Sequence, residues 1–148
     1  MRALLPATLV VLSLVGLANT VQFLRVTYGA DAMARLVDII GVGFRHGPHG
    51  RGVGGTRDGW IFFGLVPNAV AAMPFYAAVV LLTGLAAFTG AGGWRWALLV
   101  LTLVTLPLGV YLIYSLVVKL HALCPLCLRG HAINAALIVV AAAWALTR

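Results

Sequence analysis

Charged side chains are scarce in this sequence. Of its 148 residues only 9% are charged, and only three of these are acidic, whereas about 25% of the residues of a soluble domain are charged. Hydrophobic residues make up 63% of the chain, and the mean hydropathy is +1.08. This composition excludes an ordinary soluble domain and indicates an integral membrane protein.

Four long runs are almost free of charge. A helix needs about 20 apolar residues to cross a bilayer core about 30 Å thick, and runs of that length lie at residues 3–24, 66–90, 95–118 and 122–147. Because lipid offers no hydrogen-bond partners to backbone amides, these runs must be helical. We predict an all-α integral membrane protein with a bundle of four transmembrane helices. It forms a single domain over residues 1–148, with residues 25–65 as a loop outside the hydrocarbon.

The first run has a second interpretation, a cleaved signal peptide. The start Met-Arg and the small residues around Gly16 and Ala18 are compatible with one. The run is longer than the apolar core of a signal peptide, which spans about 7 to 15 residues. Asn19, Thr20 and Gln22 also suit a helix that faces other helices, so a transmembrane helix is favoured.

The loop has two different halves. In the first half, apolar residues recur at the i, i+3, i+4 and i+7 spacing of a short amphipathic helix on the membrane surface: Met33, Leu36, Val37 and Ile40. The second half, RHGPHGRGVGGTRDG, is too rich in glycine for regular structure. His46 and His49 there could bind a metal ion, but no cysteine or acidic residue lies between them, and a solvated loop is the favoured interpretation.

Cysteine is also rare, with two residues in the whole chain, Cys124 and Cys127. Their C-x-x-C spacing puts them on one face of a helix, about 4.5 Å apart along its axis, within reach of a disulfide. Pro125 suits the first turn of a helix, so Cys124 is expected at a helix N-terminus, where the dipole and free amides stabilise a thiolate. This arrangement is typical of a redox-active pair.

The pair has two other interpretations. The thiols could simply pack at a helix start, as buried cysteine often does. They could also bind metal or haem together with His121 or His131, but these histidines lie about 15 Å apart along a straight helix and cannot share one ion. Residue 128 is Leu, which excludes the C-x-x-C-H motif of covalent haem attachment.

Two segments, GLVPNAVAAMPFY and GVYLIYSLVVKLHALCPLCLRGHAINAALI, resemble the vitamin K epoxide reductase family. The specific features are the C-x-x-C opening the last helix, the AIN that follows it, and Asn68 eight residues before Tyr76. The resemblance covers the second to fourth helices. In the disulfide bond protein B type of membrane thiol oxidoreductase, the C-x-x-C lies near the first loop instead.

The resemblance implies a membrane thiol-quinone oxidoreductase that supports disulfide bond formation. It implies that Cys127 faces a quinone of the ubiquinone or menaquinone type, and that Cys124 exchanges disulfides with a thioredoxin-like dithiol protein. Asn68 matches an asparagine that hydrogen-bonds a quinone carbonyl. His131 stands where the family usually has a quinone-binding tyrosine, and its imidazole can donate a hydrogen bond or a proton. Reduction of an epoxide is not expected, because it is special to a subset of the family.

The loop departs from the family pattern, which usually has a second cysteine pair there. Residues 25–65 contain no cysteine. Either an external dithiol protein attacks Cys124 directly, or the chain is a non-catalytic membrane scaffold or assembly factor of the same fold. Metal or haem carriage is a weaker alternative.

Basic residues are distributed unevenly between the two ends of the predicted bundle. Seven lie on the side of the loop and of the C-x-x-C, and three lie on the other side. The positive-inside rule then favours a cytoplasmic C-x-x-C, whereas the usual family orientation is extracytoplasmic, and both stay open for this multi-pass protein of the cell membrane. These residues flank the spans and can meet anionic lipid headgroups, so the net charge of +7 implies no nucleic acid partner.

Overall fold

The computed structural model describes residues 4–28, 60–61, 66–119, 121 and 124–147. Its elements are α1 (Leu4–Tyr28), the two-residue strands β1 (Trp60–Ile61) and β2 (Val66–Pro67), α2 (Asn68–Thr89), α3 (Gly92–Tyr114), a π-helical turn (Ser115–Lys119) and α4 (Pro125–Leu146). The strands form an antiparallel pair, with Trp60 opposite Pro67 and Ile61 opposite Val66. The predicted amphipathic helix, and His46 with His49, lie outside the described residues.

The four predicted spans are confirmed as helices. Each of α1, α2, α4 and α3 with its π-helical turn is long and apolar enough to cross a membrane. The bounds differ from the prediction by a few residues, because α1 continues to Tyr28 and α4 begins only at Pro125. The structure is therefore the all-α four-helix membrane bundle that the hydropathy predicts.

The helices surround a common core. The first helix packs against α2 and α4, and α3 packs against the same two helices. Most of the buried side chains at the centre are apolar: Leu9, Tyr76, Val79, Ala86, Leu98, Ile133, Leu137, Ala141 and Trp144. Large apolar side chains also cover the outside, among them Phe88 and Val139. A helix bundle in a membrane presents an apolar exterior to lipid. The apolar core and the apolar outer surface therefore both suit a membrane-spanning chain.

Contacts between helices fix their directions. Near one end of the bundle, Arg95 Nη1 at the start of α3 donates a hydrogen bond of 3.0 Å to the carbonyl oxygen of Thr147, just after α4. The Arg95 guanidinium also lies 5.4 Å from the ring centroid of Trp144. Further along, Gly109 of α3 approaches His131 of α4. The helices α3 and α4 are therefore antiparallel. The end of the bundle where α2 and α4 begin is called the cysteine end below.

Hydroxyl groups within the spans bond to their own helices. The Oγ of Ser13 and the Oγ1 of Thr20 and Thr83 each donate to the carbonyl oxygen four residues earlier. These three hydroxyls find their acceptors within one helix and create no link to another. Side chains that do reach a different part of the bundle include Asn19 and Tyr76, which bond to α4, and Arg95 at the end opposite the cysteines.

Candidate functional site

The two cysteines lie where α4 begins. Cys124 has an extended backbone and caps the helix, because its Sγ accepts a hydrogen bond from the backbone N–H of Cys127 at 3.3 Å. Pro125 occupies the first turn, where a missing amide hydrogen costs nothing. The predicted position of Cys124 at a helix N-terminus is confirmed. Its sulfur therefore lies where the free amides and the helix dipole stabilise negative charge.

The thiols face each other. The Sγ atoms of Cys124 and Cys127 are 2.7 Å apart, and both residues are free cysteines that are half-buried. A disulfide bond is about 2.05 Å long, so the pair can close with a small movement and without rearrangement of the helix. The arrangement can pass between dithiol and disulfide, which is a two-electron change.

A polar stripe continues from the cysteines down α4. His131 follows Cys127 by four residues and Asn134 follows His131 by three, so all three side chains share one face of the helix. His131 is about 6 Å deeper than Cys127 along the helix axis. It is half-buried, and its Nδ1 lies 3.5 Å from where a Cβ at Gly109 of α3 would be. The absence of a side chain at position 109 leaves room beside the imidazole.

The stripe ends in a contact between helices. The hydroxyl of Tyr76 in α2 donates a hydrogen bond of 2.9 Å to Oδ1 of Asn134. The Tyr76 ring is buried against α1 at Gly16, where a Cβ would collide with the ring. These contacts put Gly16, Tyr76 and Asn134 at the same depth in the bundle.

Asn68 is the first residue of α2 and is half-buried. Asn68 precedes Tyr76 by eight residues in α2, and Leu126 precedes Asn134 by eight residues in α4, so each lies about 12 Å nearer the cysteine end than its helix's member of the Tyr76–Asn134 hydrogen bond. Asn68 therefore lies at about the same depth as Leu126. Leu126 in turn lies between Cys124 and Cys127 in the sequence. In the described part of the chain, no hydrogen bond joins Asn68 or His131 to either cysteine.

Asn19 of α1 reaches the cysteine turn directly. Its Nδ2 donates a hydrogen bond of 3.0 Å to the carbonyl oxygen of Leu126. The sequence marked Asn19 only as a polar residue suited to a helix interface. Its partner could not be found from sequence, because the two residues are 107 positions apart.

The end of α3 has a feature that sequence patterns do not indicate. The helix closes in the π-helical turn Ser115–Lys119, and such turns occur often at functional sites. Ser115 is buried, and its Oγ has no hydrogen-bond partner among the described residues. Since Gly109 lies opposite His131 in the antiparallel pair, Ser115 lies near the depth of Pro125.

No metal centre is found in the described ranges, where no group of three or more His, Cys, Asp or Glu side chains could hold an ion. His121 lies outside the helices with a φ of 48°, so it does not extend the stripe of α4.

Comparison with known proteins agrees with this architecture. The sequence profile described as the vitamin K epoxide reductase family matches residues 7–142. The match includes all of α2 and α3, both cysteines, His131, and most of α1 and α4. No curated protein and no solved structure matches the chain significantly.

Proposed function

Because the chain belongs to the vitamin K epoxide reductase family, we propose that it is a membrane thiol-quinone oxidoreductase whose redox centre is Cys124 and Cys127. The family suggests a membrane thiol-disulfide oxidoreductase in general terms. The observation that carries the proposal is the pair of facing sulfurs, 2.7 Å apart at the start of a transmembrane helix. A thiol pair at that position can exchange with a protein outside the membrane and with an acceptor inside it.

The two thiols have different roles in this proposal. Cys124 precedes the helix and exchanges disulfides with the dithiol partner, since it is nearer the end of the bundle. Cys127 lies in the helix, on the face that continues to His131, and delivers the electrons to the acceptor. Oxidation of the two thiols to the disulfide releases two electrons and two protons. The partner's dithiol then reduces that disulfide and becomes a disulfide itself, which supports disulfide bond formation.

A quinone of the ubiquinone or menaquinone type is the acceptor we propose, because it takes up two electrons and two protons together. Proteins of this family typically use a quinone. Its carbonyl oxygens accept hydrogen bonds, and Asn68 Nδ2 and an imidazole N–H of His131 are donors of the right kind. His131 is half-buried, it lies one helical turn from Cys127, and Gly109 of α3 faces it without a side chain. His131 can also supply a proton to the reduced acceptor.

The partner is a thioredoxin-like dithiol protein that attacks the pair without an internal relay. The chain has two cysteines in total, and none lies in residues 25–65. The exchange must therefore take place at Cys124 itself. The same absence is the observation that favours the second candidate, a non-catalytic scaffold or assembly factor of the same fold.

Quinone reduction by the purified protein in detergent tests the proposal. A small dithiol is the electron donor, ubiquinone and menaquinone analogues are tried separately, and the native chain is compared with Cys127→Ala and Cys124→Ala. We expect reduction by the native chain and loss of activity in both variants. Gly84→Ala is the matched control, because nothing lies within 4 Å of its added methyl group. No activity in the native chain with either quinone would favour the scaffold.

Trapping of the partner tests the division of roles. With Cys127→Ser, a thiol oxidant and a thioredoxin-like protein whose second cysteine is replaced by serine, Cys124 should accumulate as a mixed disulfide, because the oxidant takes up the two electrons and no third thiol is left to reduce the bond. With Cys124→Ser, the trapped species should be much rarer. Equal trapping by both variants would contradict the assignment of Cys124 as the exchanging thiol.

A further inference from the structure

Asn19 links the first helix to the turn that carries the cysteines. Its Nδ2 donates a hydrogen bond of 3.0 Å to the carbonyl oxygen of Leu126, which lies between Cys124 and Cys127 in the sequence. The bond therefore acts on the backbone of the turn that holds both sulfurs. It comes from a helix that carries no cysteine.

Glycine on α4 permits this close approach. An ideal Cβ at Gly130 would lie 3.4 Å from Asn19 Nδ2. Gly130 follows Leu126 by one helical turn, so the side-chain amide of Asn19 lies against two residues on the same face of α4. A larger side chain at position 130 would occupy the space that the amide uses to reach Leu126.

Packing alone does not account for an asparagine at position 19. The residue is 9% exposed, and its Oδ1 has no hydrogen-bond partner among the described residues. A buried polar atom without a partner destabilises the fold, whereas leucine would fill a similar volume with no polar atom to satisfy. The neighbouring Thr20 is equally buried, but its hydroxyl bonds only within α1, to Gly16.

We propose that Asn19 is a positioning residue for the thiol pair, an inference that rests on the proposed function. In the dithiol form, nothing covalent restrains the first turn of α4, and the Asn19 bond supplies the restraint. In the disulfide form, the covalent bond orders the turn, and the Asn19 bond is fully formed there as well. Asn19 therefore reduces the conformational entropy that is lost when the disulfide closes. Its removal makes the disulfide less stable relative to the dithiol.

The reduction potential of the pair is the readout, because a purely structural residue would not move it. The full chain in detergent is equilibrated with mixtures of oxidised and reduced glutathione, and the free thiols are counted by alkylation. As Cys124 and Cys127 form their disulfide, one molecule of oxidised glutathione is reduced to two molecules of the thiol. For Asn19→Leu we expect the equilibrium constant for disulfide formation to fall about three- to tenfold, the range of one net hydrogen bond. A tenfold fall corresponds to about 30 mV.

A second variant disturbs the same bond from the other side. Gly130→Leu places a side chain where the Asn19 amide lies, and we expect a shift in the same direction. Thr20→Val and Gly84→Leu are the matched controls, because the Thr20 hydroxyl bonds within α1 and the space around Gly84 is open. Their potentials should equal that of the native chain. If Asn19→Leu does not fold, the comparison of Gly130→Leu with Gly84→Leu still decides the question.

The outcomes separate the inference from the function on which it rests. If the native pair titrates but neither Asn19→Leu nor Gly130→Leu shifts the potential, the positioning role is wrong and the proposed redox centre stands. If the native pair forms no disulfide at any glutathione ratio, nor with the quinone as oxidant, the proposed function itself is overturned. A shift that the controls share equally would also contradict a specific role for Asn19.

Discussion

Tyr76 and Asn134 join two transmembrane helices through a half-buried hydrogen bond, in which the tyrosine hydroxyl donates to Asn134 Oδ1 at 2.9 Å. Tyr76 is 3% exposed, and its ring also packs against Gly16 of the first helix. The Tyr76 side chain, which belongs to α2, therefore contacts both α1 and α4. The contact lies deeper in the bundle than the cysteines and His131, at the inner end of the polar stripe.

Removal of the Tyr76 hydroxyl should weaken this contact between α2 and α4. Tyr76→Phe keeps the ring but leaves Asn134 Oδ1 without its donor. We expect the free energy of unfolding to fall by about 1 to 2 kcal/mol, the upper part of the range for hydrogen bonds between membrane helices. Equilibrium unfolding in mixed micelles measures it. The double variant Tyr76→Phe, Asn134→Leu should recover part of the loss, because no polar atom is then left unpaired. An unchanged stability in Tyr76→Phe would show that the bond contributes nothing.

Position 16 should not tolerate even a methyl group. A Cβ at Gly16 would collide with the Tyr76 ring, which is buried and held by its hydrogen bond to Asn134. We expect Gly16→Ala to reduce the free energy of unfolding by about 1 to 3 kcal/mol, as overpacking of a core does. Gly84→Ala is the control in the same kind of measurement. With no atom within 4 Å of the new methyl group, it should be neutral or should stabilise the helix by up to about 1 kcal/mol. Equal effects of the two variants would contradict the packing.

Arg95 should hold the opposite end of the bundle together. Its guanidinium donates to the carbonyl oxygen of Thr147 and stacks over the ring of Trp144. Arg95→Leu removes both contacts, and we expect a loss of about 1 to 2 kcal/mol in the free energy of unfolding. Arg95→Lys keeps a cation near the ring but loses the planar fork, so its loss should be smaller. Thermal unfolding in detergent compares the three proteins, and a loss in Arg95→Lys as large as that in Arg95→Leu would show that the cation over the ring contributes little.

Substitution of His131 tests the proposed acceptor site. His131→Phe removes the hydrogen-bond donor beside Cys127, and we expect kcat/KM for quinone reduction to fall about three- to tenfold. His131→Gln keeps an N–H donor and should retain more of the activity. The reduction potential of the cysteine pair is measured in both variants as a control. It should not change, because the proposed role of His131 concerns the quinone. Equal activity in His131→Phe and the native chain would remove His131 from the site.

Hydropathy and spacing predicted the number of spans and the position of the cysteine pair at a helix start, but not how the helices face one another. Cys124 and Pro125 gave a local signal for a helix start, and the structure has it there. In contrast, the partners of Leu126 and Asn134 lie on other helices, at Asn19 and Tyr76. In a membrane both the buried and the lipid-facing sides of a helix are apolar, so periodicity does not reveal which side faces the bundle. The π-helical turn at the end of α3 likewise has no sequence signature.

The orientation in the membrane can be measured at Cys124. The predicted topology puts seven basic residues on the side of the C-x-x-C and three on the other, and the positive-inside rule then favours a cytoplasmic cysteine end. In the variant Cys127→Ser, Cys124 is the only thiol of the chain, and it is half-exposed where α4 begins. We expect a membrane-impermeant maleimide to label it in inside-out vesicles and not in right-side-out vesicles. Labelling after addition of detergent is the control for reactivity. The opposite pattern would place the thiols outside the cytoplasm, in the usual orientation of the family, and would make an extracytoplasmic dithiol protein the partner.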